Sequence, residues 1–222
     1  MDGLRRPVVR LNRPLADRPE PLPVRGRPLR VGLLGGSFNP AHAGHRRISV
    51  EALKRLGLDR VWWLVSPQNP LKGTADMAPF AERLASARAA AARHPRIVAS
   101  DLEARLGTRY TVDTLERLTR RGGVRFVWLI GADNLAQLPK WRRWRRIMLL
   151  APVAVFDREP YAYRGLAGRA ARSFERRRRS ERAARCLASA DPPAWVFLRL
   201  RRHPASSTAI RRRARAGIKR QA

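Results

Sequence analysis

From Leu29 onward, short apolar runs alternate with longer amphipathic stretches. The runs are LRVGLL (29–34), RVWWLVS (60–66), RIVAS (96–100), VRFVWLIG (124–131), APVAVFD (151–157) and AWVFLRL (194–200). They are rich in Val, Ile, Leu and Trp, and their hydrophobicity is continuous instead of falling on every second residue. Strands covered on both faces have this pattern, as in a parallel sheet. Between them, segments 42–57, 79–93, 111–121 and 139–148 carry apolar residues at helical spacing, and an Arg/Ala-rich segment, 165–189, is expected to form one long basic surface helix. This alternation predicts an α/β chain: a Rossmann-like open parallel sheet with helices on both faces. Such sheets bind ligands at the carboxyl ends of their strands, near the reversal in strand order. The segment GGSFNPAHAGH (35–45) leaves the first predicted strand and falls at such a place.

Length and composition add bounds to this picture. At 222 residues, 44% of them hydrophobic, the chain suffices for one well-buried domain, expected over 29–222. Residues 1–28 hold Pro7, Pro14, Pro19, Pro21, Pro23 and Pro28 among many arginines, which predicts a disordered N-terminal arm. No apolar run approaches the roughly 20 residues that span a bilayer, so no membrane partner is expected. The single cysteine, Cys186, excludes an internal disulfide and fits a reducing cytoplasm. Assembly into homo-oligomers is compatible with the sequence.

Charge changes less than its size suggests. Lys and Arg number 48 against 17 Asp and Glu, a net +31. Such a field attracts phosphates and nucleic acid. The arginines are spread along the chain without an interleaved basic–aromatic platform, so specific nucleic-acid binding is not expected.

The loop after the first strand admits three readings: a phosphate cradle, a metal site or a structural turn. Gly35 and Gly36 let the backbone turn tightly and approach an anion with no Cβ in the way. Pro40 ends strand pairing, and a helix starting near Ala41 or His42 would direct free N–H groups and its positive dipole end at the loop. His42 and His45 then share a helix face and can donate to phosphate oxygens. Zinc would need further ligands. His94 and His203 stand alone and Cys186 offers no pair, so no protein-held metal is expected. Near the C-terminus, Ser206, Ser207 and Thr208 suit the start of a helix ending at Gly217, a second anion site.

Gly-Gly-Ser-Phe-Asn-Pro-x-His-x-Gly-His resembles the signature of the His-x-Gly-His nucleotidyltransferase superfamily. From about residue 30 to 216 the chain is similar to the bacterial nicotinate-nucleotide adenylyltransferases. YTVDTL (110–115), GADNLAQLPKWRRWRRI (131–147) and SSTAIR (206–211) resemble further motifs of that family. The resemblance implies the nucleotidyltransferase fold and transfer of adenylate from ATP to nicotinic acid mononucleotide. The products would be deamido-NAD and pyrophosphate, with Mg²⁺ accompanying ATP. Such chemistry needs no protein nucleophile, since positioning and charge neutralisation supply most of it.

Roles follow from the same resemblance. His42 and His45 would hold the triphosphate and stabilise the transition state, with Arg211 reaching the β,γ-phosphates. Gly35, Gly36, Ser37 and Phe38 would line the phosphate loop, and Asn39 stands where the family usually has Asp. Arg158, Ser206, Ser207 and Thr208 would meet phosphate, while Gly131 and Asp133 would meet the adenosine. SPQNPLK (66–72) departs from the loop of some family members, but its Lys72 is still placed to meet phosphate. Trp141 would stack on the nicotinate ring, whose pyridinium charge suits an indole face. Thr111 and Val112 would meet its carboxylate, so that N–H donors there favour the acid over the amide. A phosphopantetheine adenylyltransferase or related nucleotidyltransferase is the nearest rival, opposed by LPKW and YTVDTL. A basic nucleic-acid-binding protein is the rival of another class.

Overall fold

The computed structural model describes residues 27–68, 77–120, 123–157 and 161–200. Its strands are β1 (Leu29–Gly36), β2 (Arg60–Val65), β3 (Ile97–Ser100), β4 (Val124–Gly131), β5 (Val153–Phe156), β6 (Arg178–Arg179) and β7 (Trp195–Leu198). They form one sheet in the order β3-β2-β1-β4-β5-β7-β6, with every neighbouring pair parallel. The order reverses at β1, which lies between β2 and β4. A crevice therefore opens above the carboxyl ends of β1 and β4.

Two apolar layers sandwich the sheet, as the continuous runs predict. On one face, Leu33, Trp62, Trp128 and Ile130 pack with residues of α3 (Leu102–Leu106), α4 (Thr111–Thr119), α5 (Ala132–Gln137) and α6 (Trp144–Leu150). On the other, Leu34, Trp63, Val127 and Leu129 pack with α1 (Ala43–Arg55), α2 (Phe80–Ala91) and a 3-10 stretch, Glu181–Ser189. Neighbouring residues of one strand thus serve opposite cores, and Trp62 and Trp63 go to different ones. Both are sealed, with 3% and 0% of their surface exposed.

Two expected elements differ from the fold. Segment 165–189 is no long helix. It breaks into α7 (Ala162–Leu166), α8 (Arg169–Ser173), a 3-10 turn, β6 and the 3-10 stretch. Gly165 backs onto α5, where a Cβ would come within 2.9 Å of the Ala132 carbonyl oxygen. Gly168 caps α8, and the four consecutive arginines 176–179 divide between a 3-10 turn and the edge strand β6. The helix expected over 139–148 also yields. Pro139 lies in a 3-10 turn, Leu138–Lys140, Trp141 is extended, and Arg143 takes a left-handed φ of 50° before α6 starts. Pro139 has no N–H with which to carry α5 onward. At the other end of the described body, Arg27 holds Asp59 through two bonds of 2.7 and 2.8 Å.

Candidate active site

The loop after β1 is built from an aromatic stack. Phe38 has a left-handed φ of 47°, an uncommon conformation for a bulky residue, and is 1% exposed. Its ring lies 5.1 Å from Trp63 in a stacked arrangement and 4.7 Å from His45, and the His45 and His42 rings are 3.9 Å apart. Trp63 Nε1 donates to the Ser49 hydroxyl at 2.7 Å, which donates to the His45 carbonyl at 2.9 Å. Trp63 therefore braces the first turns of α1 from within the sheet.

Both histidines cap that helix. His42 is the N-cap, and its Nδ1 accepts from the Gly44 N–H at 3.0 Å. His45 Nδ1 accepts from the His42 N–H at 3.2 Å, completing a reciprocal capping box. An imidazole whose Nδ1 accepts carries its proton on Nε2. The cap thus fixes the tautomer of each ring and makes Nε2 its donor, beside helix N–H groups whose dipole favours an anion.

Gly35 and Gly36 do not make the turn. They are the last residues of β1, in register with Leu64 and Val65. A Cβ on Gly35 would stand 2.7 Å from Cη2 of Trp128, so this glycine makes room for an indole under the loop. The turn falls to Phe38, whose buried side chain leaves its backbone to line the loop. Ser37 offers its carbonyl to Arg83 at 2.7 Å. The Asn39 amide oxygen accepts from the Ala78 N–H at 3.3 Å. A neutral amide at that position therefore joins the β1 loop to the chain entering α2.

Beyond β4, Gly131 caps α5 and Asp133 sits in its first turn, at the mouth of the β1–β4 crevice. On the other flank, Tyr110 is the N-cap of α4, and Thr111 and Val112 are its first helical residues. Their N–H groups have no acceptor within the helix. Val112 is fully buried, so only its backbone can meet a ligand. Arg142, next to Trp141, lies 4.7 Å from the centre of the Tyr110 ring, while Arg143 and Arg146 bond Glu116 further along α4 at 2.8 and 3.3 Å. The Trp141 segment is thereby held along α4. Trp141 is half-buried against the core, and its indole N–H is buried with no hydrogen-bond partner among the described residues. Trp144 is a core residue, 7% exposed, edge-on to Phe174.

The structure thus gathers Gly35, Gly36, Ser37, Phe38, Asn39, His42, His45, Gly131 and Asp133 around one crevice, with Thr111, Val112 and Trp141 on its flank. Lys72, Arg158, Ser206, Ser207, Thr208 and Arg211 lie outside the described residues, as does the helix expected over 206–217.

Two buried charged groups under the site were not anticipated. Arg83, in the first turns of α2, is 2% exposed and bonds four carbonyl oxygens. Burial lowers its pKa from the ordinary value. Glu103, in α3, is 6% exposed, and burial pushes its pKa up to about 7 against hydrogen bonds from Thr114 and Ser66. The Thr114 hydroxyl donates to it at 3.2 Å and lies 2.8 Å from that of Thr108. Charge in the first turn of an amphipathic segment looks solvated in sequence; Glu103 at least adjoins YTVDTL, a cue for looking there.

Residues 33–213 match the model of the cytidylyltransferase-like family. A probable nicotinate-nucleotide adenylyltransferase of Cereibacter sphaeroides is 58% identical over 182 residues, spanning 82% of this chain and 96% of that protein. One from a Bradyrhizobium strain is 53% identical over 184 residues, 82% of this chain and 95% of that one. Among solved structures, the Plasmodium falciparum nicotinic acid mononucleotide adenylyltransferase complexed with NaAD shares the fold, with a TM-score of 0.63, 14% identity and 83% of each chain covered. With more than half of the aligned residues identical over nearly the whole length of such relatives, the chain belongs to the nicotinate-nucleotide adenylyltransferase family.

Proposed function

We propose that the protein transfers adenylate from ATP to nicotinic acid mononucleotide, giving deamido-NAD and pyrophosphate. The observation that carries this reading is the pair of Nδ1-capped histidines at the end of β1, facing a crevice that α4 and Trp141 flank. An oxygen of the mononucleotide's 5′-phosphate attacks the α-phosphorus of ATP. The bond from that phosphorus to the bridging oxygen breaks, and pyrophosphate leaves. Nε2–H of His42 and His45 donates to the phosphate oxygens on which charge grows, and the loop N–H groups add to that field. Gly131 and Asp133 receive the adenosine. The Thr111 and Val112 N–H groups take the nicotinate carboxylate while Trp141 stacks on the ring. Lys72, Arg158, Ser206, Ser207, Thr208 and Arg211 complete the phosphate contacts in this reading.

The reaction implies Mg²⁺. Around the loop, imidazole and backbone N–H groups are donors that suit phosphate oxygens. Among the described residues no three or more His, Cys, Asp or Glu side chains gather to hold a metal. In this reading Mg²⁺ arrives on the triphosphate, as part of the substrate. No helix among the described residues is long and apolar enough to cross a membrane, and the single cysteine suits a cytoplasmic enzyme.

The test is pyrophosphate release with Mg²⁺ and ATP, offering in turn nicotinic acid mononucleotide, its amide and phosphopantetheine. Turnover is expected with the acid mononucleotide foremost. Turnover with phosphopantetheine alone would refute the assignment.

A further inference from the structure

Arg83 is a cation buried among carbonyl groups. Its Nη1 donates to Ser37 O at 2.7 Å and to Ser66 O at 2.8 Å. Its Nη2 donates to Pro67 O at 2.8 Å, and its Nε to Ala78 O at 3.0 Å. Its guanidinium carbon lies 5.5 Å from the centre of the Phe80 ring. No carboxylate pairs with it among the described residues. A buried charge is costly to keep without an anionic partner, and a core arginine serving packing alone would be replaceable by an apolar side chain of similar volume. The four carbonyls belong to three places: the loop after β1, the end of β2, and the entry to α2. Ser66 also donates its N–H to Gly36 O at 2.9 Å, so the first two places are joined directly.

In a trans peptide the C=O and the following N–H point in opposite directions. Holding Ser37 O on Arg83 therefore aims the Phe38 N–H away from it, and holding Pro67 O does the same for the Gln68 N–H. The guanidinium draws carbonyl oxygens inward, where they would otherwise repel phosphate, and presents donors outward. It also places a fixed positive charge beneath the loop.

We propose that Arg83 is the positioning residue of the phosphate loop, turning its carbonyls inward so that the triphosphate of ATP meets N–H donors and a cation. The proposal rests on the adenylyl-transfer reading, and the assay separates the two: a wild-type enzyme without turnover sinks the reading, whatever Arg83 does. Lysine keeps the charge but lacks the planar fork, and glutamine lacks both. For folded R83K, kcat/KM for ATP is expected to fall about 10-fold, and for R83Q about 100-fold, the range that a misplacement near 1 Å produces. KM for the mononucleotide should stay within about twofold for both, because Trp141 and α4 do not touch Arg83. Variants that only melt earlier, with ATP KM and kcat within about twofold of wild type in the folded fraction, would overturn the proposal. A readout on the unmutated protein guards against misfolded variants: the Arg83 Nε–H signal in ¹⁵N NMR should exchange slowly and shift on adding ATP. A signal indifferent to ATP would equally overturn it.

Discussion

Replacing Glu103 with Gln removes one titrating group from beneath the site while keeping its shape and an acceptor for the Thr114 hydroxyl. Burial raises this carboxyl from the ordinary 4.5 to about 7. Below about pH 4.5 both folded and unfolded chains hold the proton, and Glu103 contributes no pH dependence. Between about 4.5 and 7 the unfolded chain releases it while the folded chain keeps it, so stability falls as pH rises. Above about 7 both are ionised and the loss is complete. At about 1.4 kcal/mol per pH unit of that gap, the full loss is about 3.5 kcal/mol. The assay is urea unfolding of wild type and E103Q in parallel from about pH 5 to about pH 8. Other titrating groups act on both proteins and cancel in the difference. Wild type is expected to lose about 2.5 kcal/mol relative to E103Q across that range, the remainder of the loss lying below about pH 5. A difference constant to within about 0.5 kcal/mol would show that the folded protein does not hold Glu103 protonated.

Three further outcomes are expected. H45A should lower kcat by about 10²-fold, since one donor to the developing charge is lost; a fall below about tenfold in the pyrophosphate assay would remove His45 from that role. W141A should raise KM for the mononucleotide with little change in KM for ATP, and an unchanged mononucleotide KM would exclude stacking. G35A should destabilise by about 1–3 kcal/mol through overpacking against Trp128, and thermal melts should show a smaller cost for it in a W128L background than in wild type. No effect of G35A would mean that Trp128 yields freely.

The sheet was legible because both its faces are covered, so each strand announces itself as an unbroken apolar run. All six predicted strands are present, and β6 escaped because two arginines at a sheet edge carry no apolar signal. Helix 165–189 misled because the count of Ala and Arg hid Gly165 and Gly168. In the site, the helix start at His42 was readable because Pro40 and the residues after it are a local signal, while the capping box that the two histidines form was not read. The role of Gly35 was not, because the atom it avoids belongs to Trp128, far along the chain. The same distance concealed Arg83 and Glu103. Their partners come from other loops, and burial of a charge is a property of the assembled core.

The place of β1 in the sheet also sets an order on the ribosome. β1 has β2 as an early neighbour, but its other edge pairs with β4, which begins only at Val124. At about 5–20 residues per second, that edge waits on the order of ten seconds for its partner. Throughout that interval an apolar strand presents unpaired backbone, the template on which nascent chains stick to one another. The half-made sheet is therefore the stage at which this chain most needs a chaperone, and slowing synthesis just before Val124 should increase its loss to aggregates.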